Sequence, residues 1–416
     1  MIEDDPLFSE QEAAALRAEA GQVFLPASPI SAVELFSGRQ GELDRIWTSV
    51  AQRGQHAIVY GERGVGKTSL ANIITLLAPR RGFVVCKVNC EAADDFDTVW
   101  RKALKQLSTT TSKQAAGFTG PIRKDIETLE SRAIGALTAD SLRALLANCG
   151  ATLLIIFDEF DRLSPKVIGR FTDLIKTFSD YNVSTTILMV GVSDDVSTLI
   201  RDHASIERAL IQIPMPRMRV VELRQILDTG AQKLRMTFEG VASSQIVQLS
   251  QGLPHYTHLV GRHSVRAALT RLSKTVLIPD VQRGIEVAVE DAQQSTKEQY
   301  VTATSSSHKS ALFEQVLLAC AFAQKDSLSQ FSPADVVAPL SLIMKQQYRI
   351  PAFAKHLKLF CESSRGKVLA MSGERHRYRY RFRNPLLEPY VVMRGLARGL
   401  VTAGELARLA SESQSM

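Results

Sequence analysis

Five cysteines stand among 416 residues, and none forms a CxxC pair or a His/Cys array with zinc spacing. Cys86, Cys90, Cys149, Cys320 and Cys361 are scattered, so a disulfide framework and a zinc module are both excluded. Buried thiols in a reducing cytoplasm are the expectation. No apolar stretch reaches the roughly 18–20 residues that a membrane helix needs. The start, Met1–Asp5, is acidic, which does not suit a secretory signal, and no internal repeat is visible. An even spread of charge is also missing. The formal net charge is +7, but residues 301–416 hold 16 Lys and Arg against 8 Asp and Glu, and the first 300 hold 34 against 35. The positive excess therefore lies in the last quarter, where it suggests a nucleic-acid surface. With 45% hydrophobic residues a folded core is expected, and the length argues for two or three domains.

Apolar periodicity divides the chain. An amphipathic helix is predicted from about residue 9, with Ser9 as its cap, followed by a Pro-containing lead-in, Phe24–Leu35. Short apolar runs at His56–Tyr60, Phe83–Asn89, Thr152–Phe157 and Thr185–Val192 read as strands. Helical patterns alternate with them at Gly41–Gln52, Lys67–Leu77, Asp97–Leu107, Ala139–Ala147 and Val167–Phe178, while polar Ser108–Gly120 reads as a loop. Buried strands alternating with helices predict a parallel sheet covered on both faces. Beyond Pro214–Pro216 four helical stretches follow (Val220–Leu234, Ser243–Gln251, Pro254–Ser273 and Pro279–Gln293), and Ser/Thr-rich Gln294–Lys309 reads as a linker. The expected division is a lead-in over 1–30, an α/β nucleotide-binding core over 31–216, a helical lid over 217–295, a linker over 296–310 and a last domain over 311–416.

Gly61-Glu62-Arg63-Gly64-Val65-Gly66-Lys67-Thr68 fits GxxxxGK[ST] in full and lies between a strand and a helix. Glycines let the backbone curl until its amides point inward at phosphate oxygens, and the helix that follows, through Ser69, adds its positive end. Lys67 can reach the outer phosphates of ATP, and the Thr68 hydroxyl can ligate Mg²⁺. The strand Leu153–Phe157 ends in Asp158-Glu159. Asp158 is then placed to hold the Mg²⁺ shell and Glu159 to deprotonate the attacking water. Two adjacent acids at a strand end are commonly just solvated; a complete phosphate loop upstream makes the pair meaningful. Ile187–Val192 ends in Ser193, which can touch the γ-phosphate or equally be an ordinary strand-ending serine.

With these motifs the chain resembles AAA+ ATPases, and within them the origin-recognition and replication-initiator clade with its bacterial relatives. Leu35-Phe36-Ser37-Gly38-Arg39-Gln40-Gly41-Glu42-Leu43 matches the F-x-G-R-x-x-E-L box of that clade, and Asp158-Glu159-Phe160-Asp161-Arg162-Leu163 matches its DE-x-D-x-L motif. The resemblance covers roughly residues 24–290. It implies an AAA+ core with a helical lid and a C-terminal winged helix. It also implies oligomers formed through the ATP site, Ser193 as sensor 1, and Arg208 as a finger reaching a neighbour's ATP. Where such proteins present a sensor-2 Arg, this chain has Gly252-Leu253-Pro254-His255. His255 is read there as a nucleotide contact or as plain helix packing; as a contact, its neutral form implies slow hydrolysis. The Gly-Leu-Pro form also resembles STAND-type signalling ATPases.

Three helical stretches in residues 311–362 and two strands, Lys367–Met371 and Arg375–Arg383, follow the winged-helix plan. The last strand alternates strictly. Arg375, Arg377, Arg379, Arg381 and Arg383 face one way, and His376, Tyr378, Tyr380 and Phe382 the other. Five guanidiniums about 7 Å apart repel one another, and a phosphate backbone relieves that repulsion by releasing counterions. Lys355 and Lys358, on the outer face of the preceding helix, complete the expected duplex-DNA surface. Docking of the wing on an acidic protein surface, or on the ATPase domain itself, is the other reading. Three functions stay open: a DNA-binding initiator-type ATPase, a STAND-like signalling or defence switch, and a target selector for a transposase.

Overall fold

The computed structural model describes residues 7–114, 122–192, 206, 208–306, 311–326, 328–374 and 377–412. They form two compact units: residues 29–62 with 66–215, and residues 7–28 with 63–65 and 216–412.

The first of these is built on a five-stranded sheet. β1 (His56–Gly61), β2 (Val84–Asn89), β5 (Leu153–Asp158), β6 (Thr185–Val192) and β7 (Leu210–Pro214) take the order β2-β5-β6-β1-β7, and every pairing is parallel. All six residues of β5 are buried, as an interior strand of a sheet covered on both faces must be. On one face Trp100 packs among Phe157, Phe171 and Phe178, with ring centroids 5.2–6.3 Å away. The edge strand β7 is hard to read from sequence because it has only five residues and ends on a proline. The segment expected as a loop from Ser108 is instead one arm of a hairpin: β3 (Ser108–Gln114) pairs antiparallel with β4 (Ile122–Thr128). Its Thr-rich run has β-propensity but no apolar alternation, so pattern alone does not reveal it.

In the other unit, the helix Glu10–Val23 starts at a capping box between Ser9 and Glu12 and packs on the helix Pro254–Thr270. The chain then drives Phe24 against Gly230 and Gly261; a Cβ at Gly230 would fall 2.3 Å from Phe24 Cζ. The lid helices Val220–Lys233, Gly240–Leu249, Pro254–Thr270 and Ile278–Asp291 lie where expected, joined by the two-residue ladder β8 (Thr237–Phe238) with β9 (Thr275–Val276). One expectation fails: the Ser/Thr-rich stretch from Gln294 is not a linker but the helix Gln294–Thr304. Composition misleads because three residues on one face decide the matter. Thr296, Tyr300 and Ala303 are buried, with Tyr300 edge-on to Tyr390 at 5.6 Å.

The C-terminal region has the helices Phe313–Phe322, Val337–Met344 and Ile350–Leu359, then β10 (Leu369–Ser372) paired antiparallel with β11 (Arg379–Phe382). Phe331 bridges Tyr380 through reciprocal backbone hydrogen bonds of 2.8 Å, adding a third short edge. This is the winged-helix arrangement. The strand is shorter than the Arg375–Arg383 expected. The helices Leu387–Ala397 and Ala403–Glu412 follow. Among the described residues no helix is long and apolar enough to cross a membrane.

Candidate functional site

The registers of the sheet decide where the chemistry sits. Gly61 pairs with Val192 and Asn89 with Asp158, so the carboxyl ends of β1, β2, β5 and β6 share one edge, the usual ligand edge of a parallel α/β sheet. Gly61 (φ +155°), Gly64 (φ +91°) and Gly66 (φ +98°) all adopt conformations that side chains resist. At Gly61 space is also lacking, since a Cβ would lie 2.4 Å from the Met215 carbonyl oxygen. Gly66 then caps the helix Lys67–Leu77. Lys67 is buried, 7% exposed, and its Nζ donates to the carbonyls of Gly61 (2.9 Å) and Glu62 (2.7 Å). An ammonium drawn into a glycine-rich bend at a helix N-terminus fits a polyphosphate.

The pair expected to hold a metal is brought together. Thr68 Oγ1 lies 3.4 Å from Asp158 Oδ1, and the Glu159 amide donates to the same oxygen at 2.9 Å. A hydroxyl beside a carboxylate is a hard-oxygen donor set that suits Mg²⁺ when waters and phosphates supply the rest. Among the described residues no group of three or more His, Cys, Asp or Glu side chains could hold a metal alone. The Ser69 side chain is engaged elsewhere. Its Oγ accepts from the Ile30 amide at 3.0 Å, fastening the lead-in to the phosphate-loop helix.

Glu159 sits in the left-handed region (φ +54°), and its carboxylate meets Arg162 at 2.7 Å, with both side chains about half exposed. The acidic motif by itself gives Asp161 no role; the structure supplies one. Its Oδ1 accepts from the Val192 amide at 2.7 Å, and a Cβ at Gly191 would press within 3.2 Å of that oxygen. Asp161 thus pins the end of β6, the strand that leads into Ser193. The third acid of the motif was the available signal. Ser193 lies outside the described residues. Arg208 is exposed in the turn before β7.

His255 belongs to the other unit. Its Nδ1 is 2.7 Å from the Pro26 carbonyl oxygen, so Nδ1 carries the proton. Burial lowers its pKa below the ordinary value more than the Pro26 contact raises it, with the charges of Arg63 and Arg262 adding to the fall. The imidazole borders a cavity of about 190 Å³ with Pro26, Leu259, Arg262 and Thr296 among its walls.

On the winged helix, Lys355 and Lys358 are exposed on the helix Ile350–Leu359. His356, between them, is half-buried with its ring 4.8 Å from Phe313. Along the wing Tyr380 and Phe382 are buried, Arg377, Arg379 and Arg383 exposed, and Arg381 half-buried. The row is less free of acids than the sequence implies, since Arg379 Nη1 stands 4.0 Å from Asp335 Oδ2. Arg383 donates through Nε to the Leu369 carbonyl at 3.3 Å. Arg375 and His376 lie outside the described residues.

Residues 50–199 match the family model described as "AAA domain". No curated protein sequence matches the chain. Solved structures of similar fold include the Aeropyrum pernix ORC2 protein in ADPNP and ADP complexes, 16% identical, covering 94% of this chain and 97% of that one at a TM-score of 0.46. Another is Cdc6p from Pyrobaculum aerophilum, 13% identical over 94% and 98% at 0.44. The Thermotoga maritima RuvB Holliday junction branch migration motor is 14% identical over 66% and 78% at 0.42. The family match and the motifs on the sheet edge together make residues 50–199 an AAA domain, set in a chain that resembles the AAA+ P-loop ATPases.

Proposed function

We propose that the chain binds ATP with Mg²⁺ through Gly61–Ser69 and hydrolyses it slowly, and that nucleotide controls its assembly and its grip on duplex DNA. One observation carries the reading: Lys67 is buried in the phosphate loop while Thr68 touches Asp158. In this reading the loop amides and Lys67 bind the β- and γ-phosphates. Thr68 and Asp158 hold the magnesium shell, and the bound metal supplies charge neutralisation on the phosphates. Asp161 keeps the end of β6 in place so that Ser193 can face the γ-phosphate. Glu159, once released from Arg162, takes the proton of the attacking water. His255 is neutral and gives its one N–H to Pro26, so it adds no charge where a guanidinium would, and this weakens transition-state stabilisation.

Arg208, exposed before β7, is the group proposed to reach a neighbour's nucleotide, so the ATP site is also the oligomer contact. The winged helix would meet DNA through Lys355, Lys358 and the wing arginines, largely at phosphates. A second reading is a STAND-like switch that holds nucleotide and docks its wing on a protein; the pairing of Glu159 with Arg162 favours it. Steady-state phosphate release, measured with and without duplex DNA, separates the two. Multiple turnovers that Arg208→Ala suppresses while nucleotide binding persists support the first reading. A single nucleotide retained without turnover and no DNA binding supports the second.

A further inference from the structure

Asp158 has a standing counter-ion that the phosphate-loop chemistry does not require. Lys87 lies on β2, two residues before Asn89, which pairs with Asp158. Strand alternation turns Cys86 and Val88 into the buried core and leaves Lys87 on the opposite face. Its Nζ stands 2.9 Å from Asp158 Oδ2, with side chains 16% and 3% exposed. The contact is one of charge more than direction, because Oδ2 receives no well-aligned hydrogen bond. The aligned bond of Lys87 goes elsewhere, to Asn72 Oδ1 at 2.6 Å. Asn72 in turn donates to the Ile30 carbonyl at 3.4 Å, so it is held from the far side. The ammonium is therefore shared between a carboxylate and an amide oxygen on the phosphate-loop helix.

We propose that Lys87 competes with the divalent cation for Asp158, and that Asn72 is the partner that holds the ammonium when the cation takes the carboxylate. This rests on the reading that Thr68 and Asp158 hold the metal of the bound nucleotide. An ammonium and a metal ion on one buried carboxylate repel each other strongly, because little water screens them. Lys87 thereby raises the magnesium concentration needed to complete the site. Asn72 limits the effect by offering the ammonium a second acceptor. Lys87 is a positioning residue here, since it acts through Asp158 and touches no substrate.

The two residues can be altered with opposite expected signs, which a merely structural role would not give. Equilibrium binding of a fluorescent ATP analogue to the full chain is titrated with Mg²⁺, and compared with binding in chelator. Lys87→Met removes the competing charge, and the half-saturating Mg²⁺ concentration should fall about tenfold or more. Lys87→Arg keeps the charge and should stay within about twofold of the parent. Asn72→Leu leaves the ammonium with Asp158 alone, and the half-saturating concentration should rise several-fold. Binding in chelator, which depends on the loop amides and Lys67, should change little in any of them. An unchanged or increased magnesium requirement in Lys87→Met overturns the proposal, as does a shift of the same sign in Lys87→Met and Asn72→Leu. Should Lys87→Met fail to fold, the Asn72→Leu shift decides alone, and no rise there overturns it. Loss of nucleotide binding by the unaltered chain, by contrast, rejects the reading of the whole site.

Discussion

Arg217 grips Glu388 through two hydrogen bonds of 2.9 and 3.0 Å, joining the residue just before the lid helices to the helix that follows the wing. Lys325 Nζ completes a triad at 3.0 Å from the same carboxylate, which is 1% exposed. Burial pushes Glu388 upward, but the two cations outweigh it and hold its carboxyl below the ordinary range. Arg217 also donates to the Gln251 carbonyl at 3.1 Å, and Tyr256 donates to that of Leu386 at 2.5 Å. The turn that carries His255 is thus bound to the chain leaving the wing. Glu388→Ala strands two part-buried cations and should cost up to about 3–5 kcal/mol in urea unfolding. Replacing all three groups by apolar residues of similar volume should cost far less.

Acid should destabilise both units. His56 in β1 accepts from the Ile187 amide at 3.0 Å, and burial pushes its pKa down to about 4. His258, 6.1 Å from Phe24, is likewise pushed down to about 4, by burial and then by the nearby charge of His255. Both are neutral in the fold, while in the unfolded chain each takes up a proton below its ordinary value of 6.5. Their contribution is therefore complete above pH 6.5 and is lost as pH falls toward 4, by about 1.4 kcal/mol per pH unit for each histidine. Neither ring nitrogen of His258 finds a hydrogen-bond partner among the described residues. His258→Leu should flatten the pH dependence of the melting temperature between pH 6.5 and 4; an unchanged slope would remove His258 from this account.

Phe24 is the anchor of the N-terminal segment. It is fully buried, edge-on to Phe238 at 6.5 Å, and seated where Gly230 and Gly261 leave room. Phe24→Ala should cost about 3–5 kcal/mol. Gly230→Ala should cost about 1–3 kcal/mol, because the aromatic ring must shift in a packed interior. Equilibrium denaturation reads both, and a neutral Gly230→Ala would contradict the packing described.

The basic wing predicts salt dependence more than sequence preference. Replacing Arg377, Arg379 and Arg381 by Ala should weaken binding to every duplex tested. It should also reduce the slope of log affinity against log salt by roughly one for each arginine that meets a phosphate. Fluorescence anisotropy over a salt series measures this, and an unchanged slope would move the DNA surface elsewhere.

Much of this was legible in the sequence, for identifiable reasons. The phosphate loop and Asp158-Glu159 were readable because glycine conformation and an acid at a strand end are local requirements, and the apolar runs of β1, β5 and β6 are strongly patterned. The wing's alternation was readable for the same reason. What escaped depends on partners distant in sequence. The helix Gln294–Thr304 exists because Tyr300 packs on Tyr390, ninety residues on, in a stretch whose mostly polar composition reads as a linker. Lys87 acquires a role only when β2 is laid beside β5. Asp161 does so only when β6 ends at its carboxylate, and His255 turns to Pro26, which no spacing rule places beside it.

Binding of labelled ATP in magnesium buffer tests the central claim most directly, with the full chain compared against Lys67→Ala. The account predicts saturable, magnesium-strengthened retention by the first, and retention weakened by about 100-fold or more in the second, because the buried ammonium and its charge-assisted bonds to phosphate are lost. Equal binding by both, or none by the unaltered chain, would contradict it.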